Sequence, residues 1–192
     1  MTWGADSSAM LILILGGARS GKSRFAQSLR PKESPAVYLA TCRVEDEEMR
    51  RRVERHQAER SPNWITVEEP LALAHAVQAR CGEASFLLID CLTLWLSNFC
   101  WEHRETPEAE LERLACAEVE ALAASSRDRR MVIVSNEVGS GIVPDHALGR
   151  RFRDLQGFVN QRAAALADQV FLTVAGIPLQ LKPSAAHREG TT

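Results

Sequence analysis

Short unbroken apolar runs alternate along this chain with longer stretches whose apolar positions recur at helical spacing. The runs LILIL (11–15), AVYLA (36–40), FLLI leading to Asp90 (85–89), MVIVS (131–135) and QVFLTV (169–174) predict strands. PLQLK, after an AGIP turn, predicts a further short one. The stretches between predict helices over 22–30, 46–60, 70–81, 91–103, 107–127 and 147–168. In TPEAELERL, Thr106 suits a cap and Pro107 a first turn. Strands apolar throughout and separated by helices imply an α/β fold, a mostly parallel sheet with helices on both faces. In such sheets ligands bind beyond the carboxyl ends of the strands, so chemistry is expected in the residues that follow each strand.

Composition narrows this picture rather than changing it. A chain of 192 residues with 45% hydrophobic and 25% charged residues suits one domain with a substantial core. A formal net charge of −2 gives no basic balance for nucleic acid or a membrane surface. Five scattered cysteines without a C-x-x-C pair read as reduced thiols of a cytoplasmic protein, not as a disulfide framework or zinc site. The run Leu11 to Leu15 is far too short for a membrane span, and none is expected. Residues 1–10 are expected to be a disordered leader, 11–182 the domain, and 183–192 a disordered tail.

After the first strand, Gly16-Gly17-Ala18-Arg19-Ser20-Gly21-Lys22-Ser23 fits G-x-x-x-x-G-K-[ST] at every fixed position. The glycines let backbone N–H groups turn towards phosphate oxygens, and the following helix adds its positive end. Lys22 is placed to reach the outer phosphates and Ser23 to ligate Mg²⁺. The fold expected is therefore that of the P-loop nucleoside triphosphatases. Asp90, ending an apolar strand, stands where such proteins place a carboxylate that orients Mg²⁺; the plain alternative is a cap on the next helix. No N-K-x-D guanine signature occurs, and no obvious Walker-B Asp-Glu pair of a motor ATPase. A small-molecule phosphotransferase is the better class.

EDEEMRRRVERHQAERSPNW (45–64) is acidic first and basic afterwards, as the helix dipole favours. Read as a helix, it lines Arg52, His56 and Arg60 along one face. Two guanidinium groups beside an imidazole favour its neutral, nucleophilic form and can grip phosphates. The bland reading of the same residues is a solvated charged face. His75 reads as a packing residue; His103 and His146 read as loop or helix-end residues, and His187 lies in the tail.

Five stretches together resemble the family of bifunctional adenosylcobinamide kinases / adenosylcobinamide-phosphate guanylyltransferases of cobalamin biosynthesis. They are GGARSGKSRFAQ, VYLATCRVEDEEMRRRVERHQAERSPNWITVEEP, LLIDCLTLWLSN, VIVSNEVGSGIVP and LGRRFRDLQGFVNQRAAALADQVFLTVAGIPLQLK, in family order across nearly all of 11–182. The resemblance implies that His56 attacks the α-phosphate of GTP and carries GMP covalently. It implies nucleotide contacts at Gly16 to Ser23, at Thr41, Cys42 and Arg43, at Gln57, Ala58, Glu59 and Arg60, and at Glu68 and Asp90. Family members often carry Ser where Cys42 stands, which leaves that contact to the backbone. Mg²⁺ at Ser23 and Asp90, ATP and GTP as substrates, adenosylcobinamide and its phosphate as acceptors, and a homotrimer are implied in the same way. Near the site the resemblance also puts SNEVGSGIVP, whose Asn136 and Glu137 receive no role. Two other readings stand beside it: a single-function small-molecule kinase in which His56 is idle, and a nucleotide-binding module without transfer.

Overall fold

The computed structural model describes residues 9–31, 34–43, 47, 50–51, 63–82, 84–126 and 128–183. Residues 1–8 of the expected leader, nearly all of the expected tail and most of the helix expected over 46–60, His56 included, lie outside the described residues; Met10, expected to end the leader, instead opens the first strand.

The elements are β1 (Met10–Leu15), α1 (Lys22–Ser28), β2 (Ala36–Ala40), β3 (Trp64–Glu68), α2 (Leu73–Arg80), β4 (Phe86–Asp90), α3 (Leu92–Glu102), α4 (Glu108–Ala124), β5 (Arg130–Val134), α5 (Ala147–Leu166), β6 (Gln169–Val174) and β7 (Ile177–Lys182). They build one seven-stranded sheet in the order β3-β2-β4-β5-β1-β6-β7. Every pairing is parallel except β6 with β7, which closes antiparallel through a two-residue turn.

Alternation within the strands divides the core. Leu11 and Leu13 of β1 and Leu87 and Ile89 of β4 face one side, against Leu73, Trp95, Leu96, Leu111, Leu122 and Val159 of α2 to α5. Ile12, Ile14, Phe86 and Leu88 face the other, against Ala26 and Phe25 of α1, with Phe171 and Tyr38 alongside. Burial on both faces is why these strands read as unbroken apolar runs.

Three local expectations are corrected. β3 was not foreseen: it is an edge strand with a largely open face, Ile65 being 61% exposed, so WITVE lacks an unbroken buried run. Thr106 does not cap α4, because the cap position is Pro107 with no side-chain bond. The Thr106 carbonyl instead accepts from Arg151 at 2.8 Å. α2 starts at Leu73, later than the pattern suggests. The Glu69 carboxylate accepts from the amides of Leu71 and Ala72, both at 3.0 Å, and holds that stretch in a turn.

Candidate active site

The carboxyl ends of the parallel strands share one register. Glu68, Ala40, Asp90, Val134 and Ile14 pair in a single row across β3, β2, β4, β5 and β1. One or two residues past that row lies the Gly-rich loop. Its turn depends on unusual backbone: Arg19 (φ 55°) and Gly21 (φ 96°) are left-handed. A Cβ on Gly16 would lie 2.5 Å from the Thr173 carbonyl oxygen and 2.7 Å from Ser20 Oγ, so no larger residue fits there. From the other side the β6–β7 turn backs the loop. The Gly176 amide donates to the Ser20 carbonyl at 2.8 Å, and a Cβ on Gly21 would meet Gly176 Cα at 3.0 Å.

Within this cradle Gly17, Ala18 and Arg19 are exposed, Ser23 is half-buried, and Ser20 and Lys22 are buried. The Lys22 ammonium donates to the Gly17 carbonyl at 2.6 Å. Burial holds its pKa below the ordinary lysine value, opposed by Cys91 and by the Asp90 carboxylate. Burial and Asp90 push the Cys91 thiol up to about 12. That thiol is thus protonated at neutral pH, and Asp90 supplies the operative attraction on Lys22. Ser20 Oγ and Thr173 Oγ1 are buried without a hydrogen-bond partner among the described residues, which suits a loop that receives an oxygen-rich ligand.

Asp90 is not the cap of α3, since Cys91 occupies that position. Its carboxylate accepts from the Tyr38 hydroxyl at 2.8 Å through one oxygen, Oδ2. Asp90 and the Ser23 hydroxyl are hard oxygen donors, few in number, of the kind Mg²⁺ takes when phosphate oxygens and water complete its shell. Ser23 and Asp90 therefore fit the ion.

Thr41 is placed at the same edge, but its groups are used inside the fold. Its hydroxyl donates to the Cys91 carbonyl (2.8 Å) and accepts from the Cys91 amide (2.9 Å), and its carbonyl accepts from Asn98 (2.8 Å). Cys42 and Arg43 follow half-buried, Arg43 lying 3.9 Å from Glu102. Glu68 stands two strands beyond Asp90, exposed at the end of β3. Gln57 to Arg60 and His56 lie outside the described residues. His146 caps α5, its Nδ1 accepting from the Gly149 amide at 2.9 Å.

Residues that the sequence did not single out complete the site. Tyr38, the one tyrosine of the chain, orients Asp90. Thr93 accepts the Asn136 amide at 2.8 Å, and Asn160 donates to the Asn136 carbonyl at 3.0 Å. A lone hydroxyl in an apolar strand was the only signal for Tyr38. Thr93 and Asn160 carried none.

A buried ammonium in a glycine-walled turn at the head of a parallel strand, with a carboxylate two strands away, defines a P-loop nucleotide enzyme. The solved structure of a prototypical ATPase from the type III secretion system of pathogenic bacteria shares this fold. Its TM-score is 0.59 at 12% identity, over 96% of this chain and 59% of that one. The model of the family described as cobinamide kinase / cobinamide phosphate guanyltransferase matches residues 12–181, and the chain belongs to that family. It is 44% identical over 172 residues to the bifunctional adenosylcobalamin biosynthesis protein CobP of Pseudomonas aeruginosa, spanning 88% of this chain and 96% of that protein. To the bifunctional adenosylcobalamin biosynthesis protein CobU of Escherichia coli it is 38% identical over 181 residues, spanning 90% of this chain and all of that protein. With CobU of Salmonella typhimurium the identity is 39% over the same shares.

Proposed function

We propose that this chain catalyses both reactions in its family's description: phosphorylation of the hydroxyl of adenosylcobinamide, and transfer of GMP from GTP to the resulting phosphate. The observation that carries the reading is the pairing of Lys22, in its cradle, with Asp90, held by Tyr38, in a chain of this family. In the first reaction the acceptor oxygen bonds to the γ-phosphorus of ATP or GTP while the bond to the bridging oxygen breaks. Lys22 and the loop amides spread the charge on the transferring group. Mg²⁺ at Ser23 and Asp90 would draw off further negative charge. Buried, Lys22 meets that charge with little water to screen it.

In the second reaction the His56 imidazole attacks the α-phosphorus of GTP, expels pyrophosphate and forms a phosphoramidate. An oxygen of adenosylcobinamide-phosphate then bonds to that phosphorus as its bond to the His56 nitrogen breaks, which frees the imidazole and releases adenosylcobinamide-GDP. Arg52 and Arg60, four residues to either side of His56 in the sequence, supply guanidinium groups that can grip phosphate oxygens. Nucleotide contacts fall to Gly16 through Ser23, to Cys42 and Arg43, to Gln57 through Arg60, and to Glu68 and Asp90. Thr41 acts there as a strut, since its hydroxyl is engaged.

The test is the intact mass of the pure protein after incubation with GTP and Mg²⁺, beside His56→Ala. An acid-labile, GMP-sized adduct on the wild type alone is expected. No adduct on either sinks the guanylyl half and leaves a kinase.

The chain acts as a cytoplasmic homotrimer in this reading. Among the described residues no helix is long and apolar enough to cross a membrane. The outer strand β7 turns Ile177, Leu179 and Leu181 outward, 64%, 51% and 58% exposed, a stripe that a second copy would cover. A sedimentation mass of one chain at micromolar concentration would remove the trimer.

A further inference from the structure

The segment after β5 is held more firmly than a connection requires. The Ser135 amide donates to the Ile14 carbonyl (2.9 Å), and the Glu137 amide donates to the Gly16 carbonyl (3.1 Å). Between them, both backbone groups of Asn136 are taken by Thr93 and Asn160. Asn160 is itself fixed in a buried network: its Oδ1 accepts from Ser135 Oγ at 2.7 Å and from Gln156 Nε2 at 3.0 Å. β1, α3 and α5 thus all converge on three consecutive residues. Networks of this kind are exacting, because each buried group left unmatched is costly.

What the clamp positions is Glu137, at the first glycine of the phosphate loop. One carboxylate oxygen, Oε1, accepts from the Gly139 amide at 2.7 Å; a Cβ at position 139 would stand 2.9 Å from that oxygen. Among the described residues no cation pairs with this carboxylate. Among the described residues, the carboxylates at the ends of β3 and β4 and just beyond are committed or distant. Asp90 is bonded to Tyr38 beside Lys22, Glu69 caps a turn and pairs with Arg80, and Glu68 is three strands from β5.

We infer that Glu137 is the general base of the phosphorylation step, a role that rests on the function proposed above. As the acceptor oxygen bonds to the γ-phosphorus and the bridging bond breaks, the hydroxyl proton passes to Oε2 of Glu137. It is released to water once the nucleoside diphosphate has left. The other carboxylate oxygen stays on Gly139, so the accepting oxygen keeps its direction. The guanylyl step has no such need, because a phosphate monoester with its second pKa near ~6 is largely ionised at neutral pH and has no proton to lose before attack.

This asymmetry makes the inference testable with the full chain. Glu137→Gln keeps an oxygen for Gly139 and removes the base. Phosphorylation of adenosylcobinamide and guanylylation of separately supplied adenosylcobinamide-phosphate are then measured in wild type and variant. The expected result is a fall in kcat of the phosphorylation on the order of 10²-fold or more, with KM little changed. The guanylylation rate is expected to stay as in the wild type. An equal fall in both reactions would reduce Glu137 to loop architecture, and no fall in either would remove its role. A wild type that forms no phosphorylated product would overturn the proposed function itself, and Glu137's role with it.

Discussion

Two loops meet at the same edge of the sheet and obtain their shape in opposite ways. The phosphate loop, 16–23, carries its geometry in its own residues: glycines where a Cβ would collide, a left-handed turn, and a lysine that folds back on the Gly17 carbonyl. The segment 135–146 has no comparable local determinant at its start. Its first residues are held by Thr93 on α3, Asn160 on α5 and the carbonyls of Ile14 and Gly16. A loop of the first kind is recognisable wherever its motif occurs. One of the second kind exists only once the helices around it have packed, so substitutions far away in the chain should disturb it.

The largest effect that would probe this contrast is expected from Lys22→Met. Removing the ammonium should lower both transfers on the order of 10³-fold, while the loop keeps its fold. The same change should stabilise the nucleotide-free chain, because burial depresses the pKa of Lys22 in the folded state. With the folded pKa below the unfolded one, the penalty of the charged lysine is present at neutral pH. It fades as pH rises through the folded value towards 10.5. Calorimetric melting of both proteins across that range should show the variant's advantage narrowing. An advantage that widens would mean that the loop needs its lysine to fold.

A smaller effect is expected from Asn160→Ala. It strips partners from Ser135 Oγ, Gln156 and the Asn136 carbonyl at once, and should cost about 3 kcal/mol in urea unfolding. If the two loops are shaped independently, calorimetric titration will find nucleotide affinity nearly preserved while the phosphorylation rate falls. An equal loss of both would mean that the phosphate loop also leans on α5, and the contrast would dissolve.

Legibility from the sequence followed the range of the interactions involved. The central strands were readable because each is buried on both faces and so is apolar without interruption. β3 was not, since an edge strand with one open face leaves no such run. Thr106 looked like a cap by residue type, yet its carbonyl serves Arg151 and the cap position fell to Pro107. Asp90 could be read as a cap from its residue type alone, but Cys91 holds the cap position of α3. The resemblance put Thr41 among the nucleotide contacts, whereas the use of its hydroxyl on Cys91 depends on a contact 50 residues away in the chain.

By itself the sequence determined the alternation of strand and helix, the phosphate loop and its lysine, and membership of the family. These are written in neighbouring residues, through apolar periodicity and through glycines that tolerate backbone no other residue adopts. Only the tertiary structure decided which strands lie side by side, that Tyr38 holds Asp90, and that Thr93 and Asn160 carry Glu137 to the phosphate loop. Such pairings join residues distant along the chain, and the sheet order that brings them together is set by how the helices pack, which no local window of residues contains.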